Sequence, residues 1–121
     1  MLAAIATDAP LIPSQLYRVC KRVGLGMART GAISTHGSGD LVLAFANGKR
    51  MARYGSANER AAMLSDRWLS TIYQGVVEAT EEAILNSLTM AHTMTGRDGN
   101  TIHALPLDRL VEVMRAHSRL K

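Results

Sequence analysis

A chain of 121 residues, 47% of them hydrophobic, has room for one modest domain around a single core. Its formal charge of +4 arises from 14 Lys and Arg set against 10 Asp and Glu along the whole length, and its few aromatic residues form no basic-aromatic cluster, which argues against nucleic acid as a partner. The single cysteine, Cys20, excludes an internal disulfide and leaves no paired Cys/His spacing for zinc, so a reducing, cytoplasmic location is the expectation.

The apolar opening MLAAIAT lacks a basic lead and stops at Asp8, too short for a signal peptide or a membrane span. Leu2 to Thr7 reads as a strand covered on both faces, ended by Asp8 and Pro10. Leu16, Val19, Cys20, Val23 and Met27 then recur at helical spacing, with Arg18, Lys21, Arg22 and Arg29 largely elsewhere on the wheel. Pro13 or Ser14 suits the first turn of this helix and Gly31 its end; the interior Gly24 and Gly26 are read as close approaches by another backbone. After the turn-forming GAISTHGSG, Leu41 to Ala46 is a second strand, closed by Asn47-Gly48.

Lys49 to Asn58 reads as an exposed, mobile connection. From Ser65 as N-cap, a long helix is predicted through Trp68, Leu69, Ile72, Val76, Ala83, Ile84 and Leu88, with Gly96 as its stop. The turn pair Asp98-Gly99 precedes a short extended piece, Thr101 to Leu105, and Pro106 opens a last helix carrying Leu107, Leu110, Val111 and Met114 on one face. This order predicts a layered α/β structure treated as one unit, residues 1–121. Two strands make no satisfactory sheet alone, so further strands are expected from elsewhere.

His36, Ser38 and Asp40, alternating in HGSGD, invite comparison with a catalytic triad. Residues two apart on an extended chain lie roughly 6.5 to 7 Å from one another, and serine stands between histidine and aspartate, so distance and order both fail. Taken alone, the stretch reads as a loop histidine, a serine satisfying local backbone groups and an aspartate capping the start of the strand. His92 on the long helix and His103 in the extended piece lack metal-ligand spacing, and no metal or other cofactor is expected. Gly24-Leu25-Gly26 lacks the third glycine of a dinucleotide site. Cys20 and the methionines at 27, 63, 90, 94 and 114 read as packing residues.

The ordered set ATDAPLIPSQL, GLGMARTG, GSGDLVLAF, ATEEAILNSL and TMTGRDGNTIHALPLDRL, from about Ala6 to Leu110, resembles the L-aminopeptidase D-esterase / β-peptidyl aminopeptidase (DmpA-type) family. The resemblance implies an αββα sandwich, of which this chain supplies only part of the sheets and helices. It implies a smaller, C-terminal (β) chain released when a precursor cuts itself once, leaving a new N-terminal serine as nucleophile. The family register puts that serine one residue ahead of Met1, outside these 121 residues. Ser38 then matches a second active-site serine that hydrogen-bonds the nucleophile, and Asp40 an acidic position that is often Glu; both are catalytic candidates.

The expected partners are the larger α-chain of the same precursor, which would bring the oxyanion hole and amine-binding groups, further copies of the paired chains in a homo-oligomer, and a small peptide, amide or ester with a free amine. A signal peptide on the upstream chain would move the location to the periplasm. Two alternatives stand beside this reading. An ornithine acetyltransferase-like protein shares the self-cleaving plan and a similar opening but uses threonine, and GSGDLVLAF with TMTGRDG favours the peptidase. A non-catalytic scaffold is the other.

Overall fold

The computed structural model describes residues 1–48 and 63–120. They divide into two compact units, Met1–Glu81 and Glu82–Lys121. The connection expected over Lys49 to Asn58 lies outside the described residues.

The first unit is built on a strand-helix-strand crossover: β1 (Leu2–Thr7), α1 (Pro13–Arg29) and β2 (Leu41–Ala46). The two strands pair in parallel, from Leu2 opposite Leu41 to Thr7 opposite Ala46, and α1 packs against β2. Parallel neighbours need such a crossover, because the chain must return to the same end of the sheet before pairing again. Both strands alternate strictly between half-buried and exposed residues. Ala3, Ile5, Val42 and Ala44 are half-buried, while Leu2, Leu41, Leu43 and Phe45 are 79%, 69%, 61% and 52% exposed. Within this chain, then, one face of the sheet is covered and the other is open, apolar though it is.

Helix α1 begins at Pro13, where a missing N–H costs nothing, and the side chain of Gln15 reaches back to accept the Ile12 N–H at 3.3 Å. It ends in a Schellman motif, in which Ala32 N–H donates to Met27 and Gly31 N–H to Ala28, with Gly31 at φ +93°. Val19 and Val23 are fully buried, and Leu11, Met27, Leu69, Val76 and Val77 complete the core. Gln15 is buried as well, 2% exposed, and its amide donates to the Leu64 carbonyl (2.8 Å) and to Asp66 (3.0 Å). This satisfied polar group ties α1 to the segment before the second helix.

That helix, α2 (Leu69–Thr89), follows a single 3₁₀ turn at Asp66–Trp68, which Ser65 precedes without a side-chain cap. A methyl group added at Gly26 would lie 2.6 Å from both the Thr80 Cβ and the Val77 carbonyl, so α1 and α2 approach closely there. Gly24 has open space around it, and the close-approach reading fails at that position. Arg29 pairs with Glu81 at 3.1 Å, and the Arg22 guanidinium lies 4.2 Å above the Tyr73 ring.

In the second unit, β3 (Met94–Thr95) and β4 (Thr101–Ile102) form an antiparallel hairpin closed by Gly96–Asn100, with Asp98 and Gly99 both at positive φ. Strand β3 has no counterpart in the sequence reading, which also carried the long helix on to Gly96. The helix stops at Thr89, so His92 lies beyond its end. Of the extended piece, only Thr101–Ile102 pairs. Helix α3 (Leu107–Ala116) follows Pro106, with Leu110, Val111 and Met114 half-buried. Met63, Met90 and Met94 are exposed, contrary to a packing role within this chain. Among the described residues, no helix is long and apolar enough to cross a membrane.

Candidate active site

The pairing of β1 with β2 continues one step beyond the strands, since Leu41 N–H donates to the Met1 carbonyl at 2.9 Å. That step sets Asp40 beside Met1. The Met1 α-nitrogen donates to Asp40 Oδ1 at 2.6 Å and to the Gly39 carbonyl at 3.5 Å. The Ser38 hydroxyl donates to Asp40 Oδ2 at 2.7 Å. Both oxygens of one carboxylate are thus engaged, one by the start of β1 and one by a side chain two residues upstream.

The loop that delivers these groups turns sharply. Ser34 lies at φ +46°, and Ser38 N–H closes a turn onto the Thr35 carbonyl at 2.8 Å. Gly37 and Gly39 leave open space on either side of Ser38. The Ser38 hydroxyl therefore goes to Asp40 rather than to local backbone, and Asp40 faces the first residue of the neighbouring strand. The hydrogen bond from the α-amino group, followed by that from Ser38, holds the Asp40 carboxyl below the ordinary 3.8. An ionised Asp40 accepts from both neighbours, which leaves the Ser38 oxygen lone pairs free to receive a proton donor from a third group.

Ser38 and Asp40, the two sequence candidates, are brought together with the beginning of β1. Among the described residues no histidine joins them; His36, His92 and His103 are exposed. Cys20 is half-buried on α1, away from this loop in sequence. Among the described residues, no group of three or more His, Cys, Asp or Glu is arranged to hold a metal. The residues that sequence reasoning missed are Met1 and Gly39, which contribute backbone atoms. Their only signal was the parallel register, and two apolar runs do not announce which way they pair.

In the first unit, then, a two-stranded parallel sheet with α1 packed on it gathers a carboxylate and a hydroxyl beside Met1, just ahead of its first strand. The chain aligns along 98% of its length with the L-aminopeptidase D-Ala-esterase/amidase of Ochrobactrum anthropi, 33% identical with a TM-score of 0.83, a prototype serine aminopeptidase described as a variant of the Ntn hydrolase fold. It aligns equally well, TM-score 0.83 and 43% identity over 93% of its length, with the PH0078 protein of Pyrococcus horikoshii OT3. It is 39% identical over 99% of its length to the β-peptidyl aminopeptidase BapA of Sphingosinicella microcystinivorans. Residues 1–102 match peptidase family S58, and the chain belongs to that family. It spans 31% of the length of the Sphingosinicella relative, and 34% and 32% of the Ochrobactrum and Pyrococcus chains. Its mixed helices and strands are one part of the αββα fold.

Proposed function

We propose that this chain is the smaller, C-terminal portion of an autoproteolytic serine aminopeptidase that hydrolyses short peptides, amides or esters bearing a free amine, and that it works only with the larger portion of the same precursor. The observation that carries the reading is the convergence of the Met1 nitrogen, Asp40 and Ser38 at the start of β1. A serine directly before Met1 would stand at the edge of that cluster. The Met1 nitrogen would then be a peptide N–H, still a donor, so its bond to Asp40 would anchor the strand just behind the nucleophile.

The chemistry needs no histidine. The α-amino group of such a serine has an unperturbed pKa of about 8 and takes the hydroxyl proton, directly or through Ser38. The serine oxygen bonds to the substrate carbonyl carbon, the proton passes to the departing nitrogen or oxygen as the scissile bond breaks, and water repeats the sequence to free the acid. Ser38 orients the proton. Asp40, held ionised, fixes the Ser38 rotamer and favours positive charge on the nearby amine. The oxyanion donors come from the larger portion, as do the groups that recognise the substrate amine.

The test is expression of the whole gene followed by mass spectrometry of the product. Two fragments are expected, the smaller beginning with serine before Met1, together with activity on amino-acid p-nitroanilides. Replacing that serine by alanine should leave one uncut, inert polypeptide. An intact wild-type product that hydrolyses nothing would remove the reading, and threonine at that position would favour the acetyltransferase-like alternative.

A further inference from the structure

We infer that Ser34 is a positioning residue, whose left-handed backbone turns the loop after α1 so that the Ser38 hydroxyl meets Asp40; its part in the reaction rests on the aminopeptidase reading above. Among the described residues, three that are not glycine have positive φ: Ser34 at +46°, Asp98 at +60° and Ser118 at +54°. Two of them are accounted for locally. Asp98 lies in the turn of the β3–β4 hairpin, and Ser118 closes the end of α3, where Arg119 N–H donates to the Met114 carbonyl. Ser34 does neither, because Gly31 has already ended α1.

The loop does not spend a glycine on this conformation. Gly37 and Gly39 lie outside the left-handed region and have nothing within 4 Å, while the left-handed position carries a serine. A Cβ there crowds the following carbonyl, and such a residue persists where the chain on both sides is fixed. Both sides are fixed here. Gly31 and Ala32 are bonded into the end of α1, and Leu41 N–H is held by the Met1 carbonyl. Ser34 itself is exposed, so these anchors rather than packing determine its backbone. Returning φ to the value of a right-handed residue, about −60°, would swing the following chain by roughly 100°. The turn that Ser38 N–H closes onto the Thr35 carbonyl starts at the next residue and would swing with it. Asp40 stays beside the Met1 nitrogen at 2.6 Å, so the 2.7 Å bond from Ser38 would be lost.

The experiment uses the complete enzyme, this chain together with the rest of its precursor, and reads the Asp40 carboxyl by carbon-13 NMR beside kcat and KM on an amino-acid p-nitroanilide. β-branched residues resist positive φ and glycine accepts it. Ser34→Val and Ser34→Thr are expected to raise the Asp40 midpoint as far as Ser38→Ala does, and adding Ser38→Ala to either should raise it no further. Their kcat should fall about 10²-fold with KM little changed, the scale of a roughly 1 Å misplacement. Ser34→Gly should keep both the midpoint and kcat. The opposite order, loss with glycine and retention with threonine, would assign the effect to the Ser34 hydroxyl and overturn the inference. A midpoint unmoved in the valine and threonine variants, or in Ser38→Ala itself, overturns it as well. Where Ser34→Val does not fold, Ser34→Thr decides by the same comparison. A wild-type enzyme inert toward the anilide removes the aminopeptidase reading, and the midpoints still decide whether Ser34 sets the bond between Ser38 and Asp40.

Discussion

Asp40 accepts one hydrogen bond on each carboxylate oxygen, from the α-nitrogen of Met1 and from the Ser38 hydroxyl, and the two favour its charged form. The consequence for pH has a definite sign. A carboxyl whose folded value is depressed contributes stability that is fully present above its ordinary 3.8 and is lost as the pH falls through the lower, folded value. Carbon-13 NMR of the Asp40 carboxyl should show a midpoint below 3.8, and Ser38→Ala should raise it by removing one of the two donors. A midpoint that Ser38→Ala leaves in place would mean that the two side chains are not bonded in solution. Asp66 behaves in the same sense through Gln15 first and Arg18 second, but it serves packing: the bonds join α1 to the start of α2.

At the scale of elements, the two interior glycines of α1 separate cleanly. Gly26→Ala would drive a methyl group into the Thr80 side chain and the Val77 carbonyl, so the helices must part, at a cost of about 1–3 kcal/mol for overpacking. Gly24→Ala meets nothing and should stabilise the helix by about 0.5–1 kcal/mol. Thermal unfolding of the two variants should therefore move in opposite directions. Helical periodicity put both glycines inside α1, but only the position of α2 tells them apart. The same limit explains β3. Met94–Thr95 is two residues long, with no alternation to detect, and it becomes a strand because the Asp98-Gly99 turn folds Thr101–Ile102 back onto it. The overlong reading of α2 has a related cause: the apolar and small residues after Thr89 continue a helical pattern, while the backbone has already turned toward the hairpin.

For the molecule as a whole, the open sheet face is the dominant feature. Leu2, Leu41, Leu43 and Phe45 form a contiguous apolar surface on a two-stranded parallel sheet, and parallel sheets persist when both faces are covered. The chain spans about a third of the length of its relatives, and under the proposed function the cover comes from the larger portion of the same precursor. Expressed alone, these 121 residues should self-associate, bind a hydrophobic dye and hydrolyse no aminoacyl anilide. Co-expression with the remainder should abolish the dye signal and yield a soluble complex, and size-exclusion chromatography with the dye assay distinguishes the two cases. A monodisperse, dye-negative isolated chain would point instead to the scaffold alternative.

What the sequence determined by itself is local. The bounds of β1 and β2, the start and end of α1, and the opening of α3 follow from apolar spacing, Pro13, Gly31 and Pro106, because each is decided by residues within a few positions of one another. The bond between Ser38 and Asp40 is not of that kind: spacing alone gave the Ser38 hydroxyl to local backbone, and it is the turned loop that brings it to Asp40. Tertiary structure alone decided that Asp40 meets Met1, 39 positions away, and that Leu2 stands beside Leu41 on an open face. Strand direction and register depend on how α1 returns the chain to the same end of the sheet, a long-range packing outcome that no short window of residues encodes.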